Sequence, residues 1–318
     1  MNESPRISMI GLAGADLAET AENYPRDGGD TSELAFDRMP GGATANCAVA
    51  AARLGAEVSF IGRVGQDRAA DELIAGLAGE GIDTSGLLTD SSLQADERVV
   101  ITSGSRGERT NLWRQGARIS IGSRIDIANL FSAGICFVDV DDLPLYRFLA
   151  DLPVHTNPHA KLLGSLTNLT ESPETSLSEI IPRLDAVVGS SQDASAITGA
   201  GSMAEACVRC QQAMIGNNLR FAAITDGSSG AYGITLGHIL QVATIEVEVV
   251  DITGAGDAFA GALAFGLAAR WGAEETLRLG SVVAGLSTTR LGARAGLPRM
   301  EVVRAVLDSA PPVVTRVA

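Results

Sequence analysis

The sequence predicts an α/β fold: a mostly parallel central sheet with helices on both faces, plus a small β-sheet lid. Short apolar strand-like runs alternate with helical runs along most of the chain, the pattern of parallel strands joined by crossover helices. With 318 residues and 46% apolar content, the chain can bury one large core, or one core plus a small accessory element.

The opening run "RISMIGLAG" is an apolar strand leading into glycines. "FDRMPGGATANCAVAAARLG" reads as a turn followed by an Ala-rich helix, with Gly55 placed to stop it. "AEVSFIGRVG" is a second strand. "QDRAADELIAGLAGEGID" is a second helix, with Asp67 as N-cap and Gly81 as its stop. Further strands are expected at "GICFVDV", "LDAVVGSS", "FAAIT" and "AYGIT", and helices around 194–215, 257–270, 274–290 and 299–308. Two stretches break the rhythm. Residues 15–39 are acidic and carry Gly and Pro, and residues 95–118 are β-rich with charges on alternate positions. Such pieces can pair into a small sheet over one side of the main body. No tandem repeat or linker-like stretch is visible, so residues 1–318 are expected to form one domain with those two lid segments.

A net charge of −14 argues against a nucleic-acid partner, which needs clustered Lys and Arg. The apolar runs "AFAGALAFGLAARW" and "SVVAGLSTT" are far shorter than the ~20 residues that span a bilayer, so no membrane partner is expected. The start of the chain lacks the basic and long apolar regions of a secretory signal, and a cytoplasmic protein is expected. Cys207 and Cys210 form a lone C-x-x-C in helical text, which favours buried thiols over a zinc or redox pair. His155 and His159 flank Pro158, which rules out a regular helix there and disfavours a metal pair.

The chemistry concentrates in "VVDITGAGDAFAGALAFGLAARW", residues 249–271. Glycine admits positive φ and lets a ligand approach the bare backbone. A glycine turn feeding a helix offers unpaired N–H groups at the positive end of the helix dipole, which suits an anion. Asp257 falls in the first helical turn beside it. Anion hole and carboxylate together fit phosphoryl transfer: the amides hold the moving phosphoryl oxygens and the acid takes the hydroxyl proton. A plain strand–turn–helix connection with Asp257 as a helix cap is the alternative. The run is neither a P-loop nor a dinucleotide fingerprint.

"DITGAGDAFAGALAFGL" resembles the C-terminal signature of the ribokinase/PfkB carbohydrate kinases. Residues 41–83, beginning "GGATANCAVAAARLG", are similar to their N-terminal signature. The resemblance implies a ribokinase-like fold and an ATP-dependent kinase acting on a hydroxymethyl group, with a lid that often also makes a homodimer contact. Asp257 then matches the general base, and Gly254, Ala255 and Gly256 the anion hole. Asp16, Gly41, Gly42 and Asn46 match the groups that lie against the substrate. Asp141 falls where relatives place another substrate acid, with Asp139 and Asp142 competing for that role. Thr225, Gly227 and Gly230 match the nucleotide turn, and Ser281 stands on the adenine side where relatives often carry Asn or His. Asp251 and the Thr253 carbonyl match a monovalent-cation site, so K+ joins ATP and Mg2+ as an implied cofactor. One departure stands out: the N-x-x-E that organises magnesium through water is here Ser190-x-x-Asp193, and Asp193 is the remaining candidate.

A small sugar or sugar acid is the expected acceptor. Arg106, Arg109 and Arg114 in the lid offer partners for an anionic group, or are simply solvated strand charges. A nucleoside kinase is the alternative. It would need a base pocket, for which Phe36, Trp113, Phe131 and Phe137 are the candidates. A catalytically weak ligand-binding regulator is the second alternative, suggested by the Ser190/Asp193 departure.

Overall fold

Alternating apolar side chains along the first strand, β1 (Arg6–Gly11), set the layer order of the molecule. Ile7 and Met9 enter one buried cluster and Ile10 enters another, so both faces of the strand are covered. The structure, a computed structural model, describes residues 4–21, 33–103, 109–152, 159–169 and 183–317. After β1 come β2 (Gly14–Ala21), β3 (Glu33–Gly41), β4 (Glu57–Gly65), β5 (Asp83–Asp90), β6 (Asp96–Ser103) and β7 (Arg109–Arg114). The second half supplies β8 (Ile135–Asp139), β9 (Lys161–Ser165), β10 (Ala186–Ser190), β11 (Phe221–Thr225), β12 (Ala231–Ile234), β13 (Ile239–Val242) and β14 (Val314–Arg316).

These strands form a ten-stranded sheet in the order β14-β13-β12-β11-β10-β9-β8-β1-β4-β5. The run from β11 to β5 is parallel, and β12, β13 and β14 extend it antiparallel. The helices Ala43–Arg53, Arg68–Gly79, Ala255–Ala268 and Ala273–Ser287 pack on one face. The helices Leu143–Asp151, Ser191–Thr198 and Met203–Ala213 cover the other. The two breaks in the rhythm pair as a separate four-stranded sheet, β3-β2-β6-β7, in which β2 and β6 run parallel and the outer pairs antiparallel. The expected α/β layering and small extra sheet are both present.

The helix expected over 194–215 is two helices. The first stops at Gly199, and the Ser202 hydroxyl starts the next by accepting from Glu205 N–H. The Leu143–Asp151 helix is not among the expected elements, and Pro144 sits in it. Pro occupies its first turn, where no backbone donor is needed, and Asp142 caps it by accepting from Leu145 N–H. Asp142, one of the competing substrate acids, thus caps this helix. Cys207 and Cys210 are buried on one helix, and burial raises the thiol of Cys207 to about 11 and that of Cys210 to about 12. No cluster of metal-ligating side chains occurs among the described residues, and His155 lies outside them. No helix among them is long and apolar enough to cross a membrane.

Candidate active site

The carboxyl ends of β8, β9, β10 and β11 deliver Asp139, Ser165, Ser190 and Thr225 to one edge of the sheet, where open α/β sheets bind their ligands. Together with Asp257, Asp193 and Thr167 these residues line a cavity of about 110 Å³. A second, larger cavity of about 740 Å³ adjoins it, lined among others by Thr225, Gly227, Gly230, Phe259 and Ser281. Thr225 and Gly256 belong to both walls, so the glycine turn stands at the junction.

The turn is held from below by buried Asp251. Its Oδ1 accepts from Thr253 N–H at 2.9 Å and the Thr253 hydroxyl at 2.8 Å, and its Oδ2 from Gly292 N–H at 2.8 Å. Gly254 follows at φ 76°, and a Cβ there would lie 2.6 Å from Ala293 Cβ. Only glycine fits. The Ala255–Ala268 helix begins at this point, and the N–H groups of Gly256 and Asp257 meet no internal acceptor among the described residues. Ala255 departs from the expected anion hole. Its N–H donates to the Ile252 carbonyl at 3.2 Å, so the open donors are those around it.

Asp257 is half-buried and its Oδ2 accepts from Asn46 Nδ2 at 2.9 Å. Burial pushes its carboxyl up to about 7. The Asn46 bond opposes that rise, Asp139 adds to it, Arg98 opposes and Asp16 adds. Asn46 in turn accepts on Oδ1 from Arg294 Nε at 2.7 Å, and Arg294 Nη2 donates to the Gly41 carbonyl at 2.9 Å. Burial pulls the Arg294 guanidinium down to about 10, against Asp16, Asp257 and Glu80. Asp16 is buried and accepts from Arg98 Nε and Nη2, both at 3.1 Å. A Cβ on Gly41 would lie 2.6 Å from the Asp16 carboxyl carbon, and Gly42 sits at φ 90° against the backbone of Ala13 and Gly14. The structure thus brings Asp16, Gly41, Gly42, Asn46 and Asp257 into one group.

Asp141 pairs with Arg118 in a small crevice bordered by Gly11, Arg63 and Trp113, whose wall Asp139 shares with the smaller cavity. Asp139, which accepts from the Thr44 hydroxyl at 2.9 Å, is the acid that faces Asp257. The Ser281 hydroxyl donates to the Ala243 carbonyl at 2.6 Å. Asp193 closes a capping box with Ser190: its Oδ2 accepts from Ser190 N–H and hydroxyl, both at 2.8 Å, while still facing the smaller cavity. Arg114 pairs with Glu97 on the next strand. Arg106 and the side chains of Arg109 and Phe36 lie outside the described residues. Phe131 and Phe137 are buried in the core, and Trp113 stacks on Arg118 at 4.5 Å. The sequence reading missed Arg98 and Arg294. The alternate charges of β6 hinted at the first, and nothing in "GARAGLP" marks the second.

A family model described as pfkB family carbohydrate kinase matches residues 4–300. The chain belongs to the pfkB family of carbohydrate kinases. It is a sugar kinase, a phosphotransferase with an alcohol group as acceptor. This kinase is 28% identical over 313 residues to a ribokinase of Bacillus subtilis, covering 95% of this chain and 99% of that protein. It is 28% identical over 287 residues to a fructokinase of Klebsiella pneumoniae, covering 82% of this chain and 89% of the other. In fold it matches the Arabidopsis thaliana ribokinase structure in complex with ribose and ATP at a TM-score of 0.83 and 22% identity, over 97% of this kinase and 100% of that chain.

Proposed function

We propose that this kinase transfers the γ-phosphate of ATP to a hydroxymethyl oxygen of a small sugar or sugar acid. Asp257 carries the reading, because it lines the smaller cavity next to Gly256, which borders both, and its N–H and that of Gly256 have no internal partner among the described residues. The larger cavity, with Thr225, Gly227, Gly230 and Ser281 in its wall, takes the nucleotide. Asp16, Gly41, Gly42 and Asn46 take the sugar, with Asp139 and then Asp141 as further acids. The sugar hydroxyl gives its proton to Asp257 as its oxygen bonds to the γ-phosphorus. The bond to the β-phosphate oxygen breaks, and ADP leaves with that electron pair. The amides of Gly254, Gly256 and Asp257 stabilise the transferring oxygens.

Mg2+ keeps most of its waters and is usually held by one or two carboxylates plus substrate phosphates, and Asp193, in the wall of the smaller cavity, would hold it through water. When bound, it neutralises phosphate charge. Asp251 and the Thr253 carbonyl are the place for K+. The carboxylate already ties the turn through three hydrogen bonds, so K+ stiffens this loop without being the element that forms it. The reading includes a cytoplasmic homodimer joined through the small sheet. ADP release is the test, run over sugars, sugar acids and nucleosides with magnesium present. The expected result is turnover on a sugar or sugar acid and none on adenosine. Turnover confined to nucleosides makes it a nucleoside kinase, and binding without turnover makes it a regulator.

A further inference from the structure

An asparagine side chain can turn end for end, and only its neighbours decide whether the carbonyl or the NH2 faces Asp257. At Asn46 the neighbour is Arg294, a guanidinium that can only donate. Its Nε takes the Asn46 carbonyl at 2.7 Å, which leaves Nδ2 to donate to Asp257 Oδ2 at 2.9 Å. Arg294 is itself built in. Its other donor goes to the Gly41 carbonyl, and its loop is pinned by Arg53, whose Nη1 donates to the carbonyls of Arg294 and Leu297 at 2.8 and 2.9 Å. Glu80 holds the rest of the Arg53 guanidinium.

We propose that Arg294 is a positioning residue for the base. It fixes the polarity of the Asn46 amide, so that one oxygen of Asp257 always receives a donor and the other is left to take the substrate proton. The proposal rests on Asp257 as the base. Without Arg294, Asn46 is free to turn its carbonyl toward Asp257, and a nearby positive charge is lost. Both changes favour the protonated carboxyl. The other charged groups around Asp257 are Asp139 at the end of β8, Asp16 on β2 and Arg98 on β6. Cys47, on the Ala43–Arg53 helix, faces it as a neutral thiol. All of these stay in place in the variants.

The ionisation of Asp257 can be read without any substrate. For each Arg294 form, unfolding stability is compared with that of its Asp257→Asn counterpart between about pH 4 and pH 9, and the midpoint of the alkaline step, at which the slope of that difference has fallen to half its full value, is the pKa of the folded Asp257. The expected midpoint is near 7 with the native arginine, and about 8 in Arg294→Met, where kcat/KM on the best sugar of the panel falls about tenfold on the acid side and its acid limb moves with the midpoint. Arg294→Lys, whose ammonium also only donates, keeps the midpoint near its native value and restores turnover. Should Arg294→Met not fold, Arg294→Gln serves instead. Its amide no longer dictates polarity, and the midpoint rises in the same direction. An unmoved midpoint in the methionine or glutamine form, or a lysine form that behaves like them, overturns the proposal while Asp257 stands as the base. Full turnover in Asp257→Asn overturns both.

Discussion

Asp257→Asn is expected to lose turnover by about a thousandfold and at the same time to fold more stably than the native chain. The two effects have one cause. Folding raises the carboxyl of Asp257 from near 4 to about 7, so between those values the folded state holds a proton that the unfolded chain has released. Stability linked to that proton is fully present below about pH 4, declines as pH rises and is gone above about pH 7. Asparagine removes the ionisable group and keeps an oxygen for Asn46 Nδ2. At pH 8 the variant should gain about 2–4 kcal/mol, and at pH 4 about nothing. Urea unfolding at the two pH values, with ADP release on the same samples, checks both halves. A variant that is inactive and also less stable at pH 8 would point to plain structural damage.

Gly254→Ala should cost turnover by about a hundredfold or more through the anion hole. Its φ of 76° lies where L side chains are strained, and the new methyl would meet Ala293 at 2.6 Å. To relieve that contact the turn must rotate, carrying the amides off their convergence point. Sugar affinity should change little, because Asp16 and Asn46 hang from other elements. Gly76→Ala, on the Arg68–Gly79 helix, is the control for folding, since a methyl there meets nothing within 4 Å. Unfolding curves and steady-state kinetics on the pair separate a lost anion hole from a lost fold. Equal turnover in the glycine and alanine forms at 254 would remove the anion hole from the mechanism.

The layering was legible because it depends on local pattern. Strands such as β1 and β8 announce themselves as short apolar runs, and the turn at 251–257 shows glycines, helix onset and acid within one stretch. Where the pattern misled, a local signal had a second use. Asp142, weighed as a site acid, also caps the Leu143–Asp151 helix, and Pro144 suits the first turn of that helix. β14 has only three residues, and β9 offers just two adjacent apolar residues before Gly164, so neither stands out locally and pairing makes them strands. Ala255 looks like an open donor in sequence, yet the curl of the turn returns its N–H to Ile252. The contact that orients the base was out of reach for another reason. Asn46 meets Asp257 across 211 positions and Arg294 across 248, and no local composition encodes a meeting at that distance.

The pH dependence of kcat/KM on the best sugar substrate tests most directly whether Asp257 takes the hydroxyl proton. A base must be ionised in the free enzyme, so kcat/KM should rise about tenfold per pH unit on the acid side and level off near the value at which the carboxyl ionises, about 7. A profile that stays flat from about pH 5 upward would mean that the proton goes elsewhere, and Asp257 would not be the base.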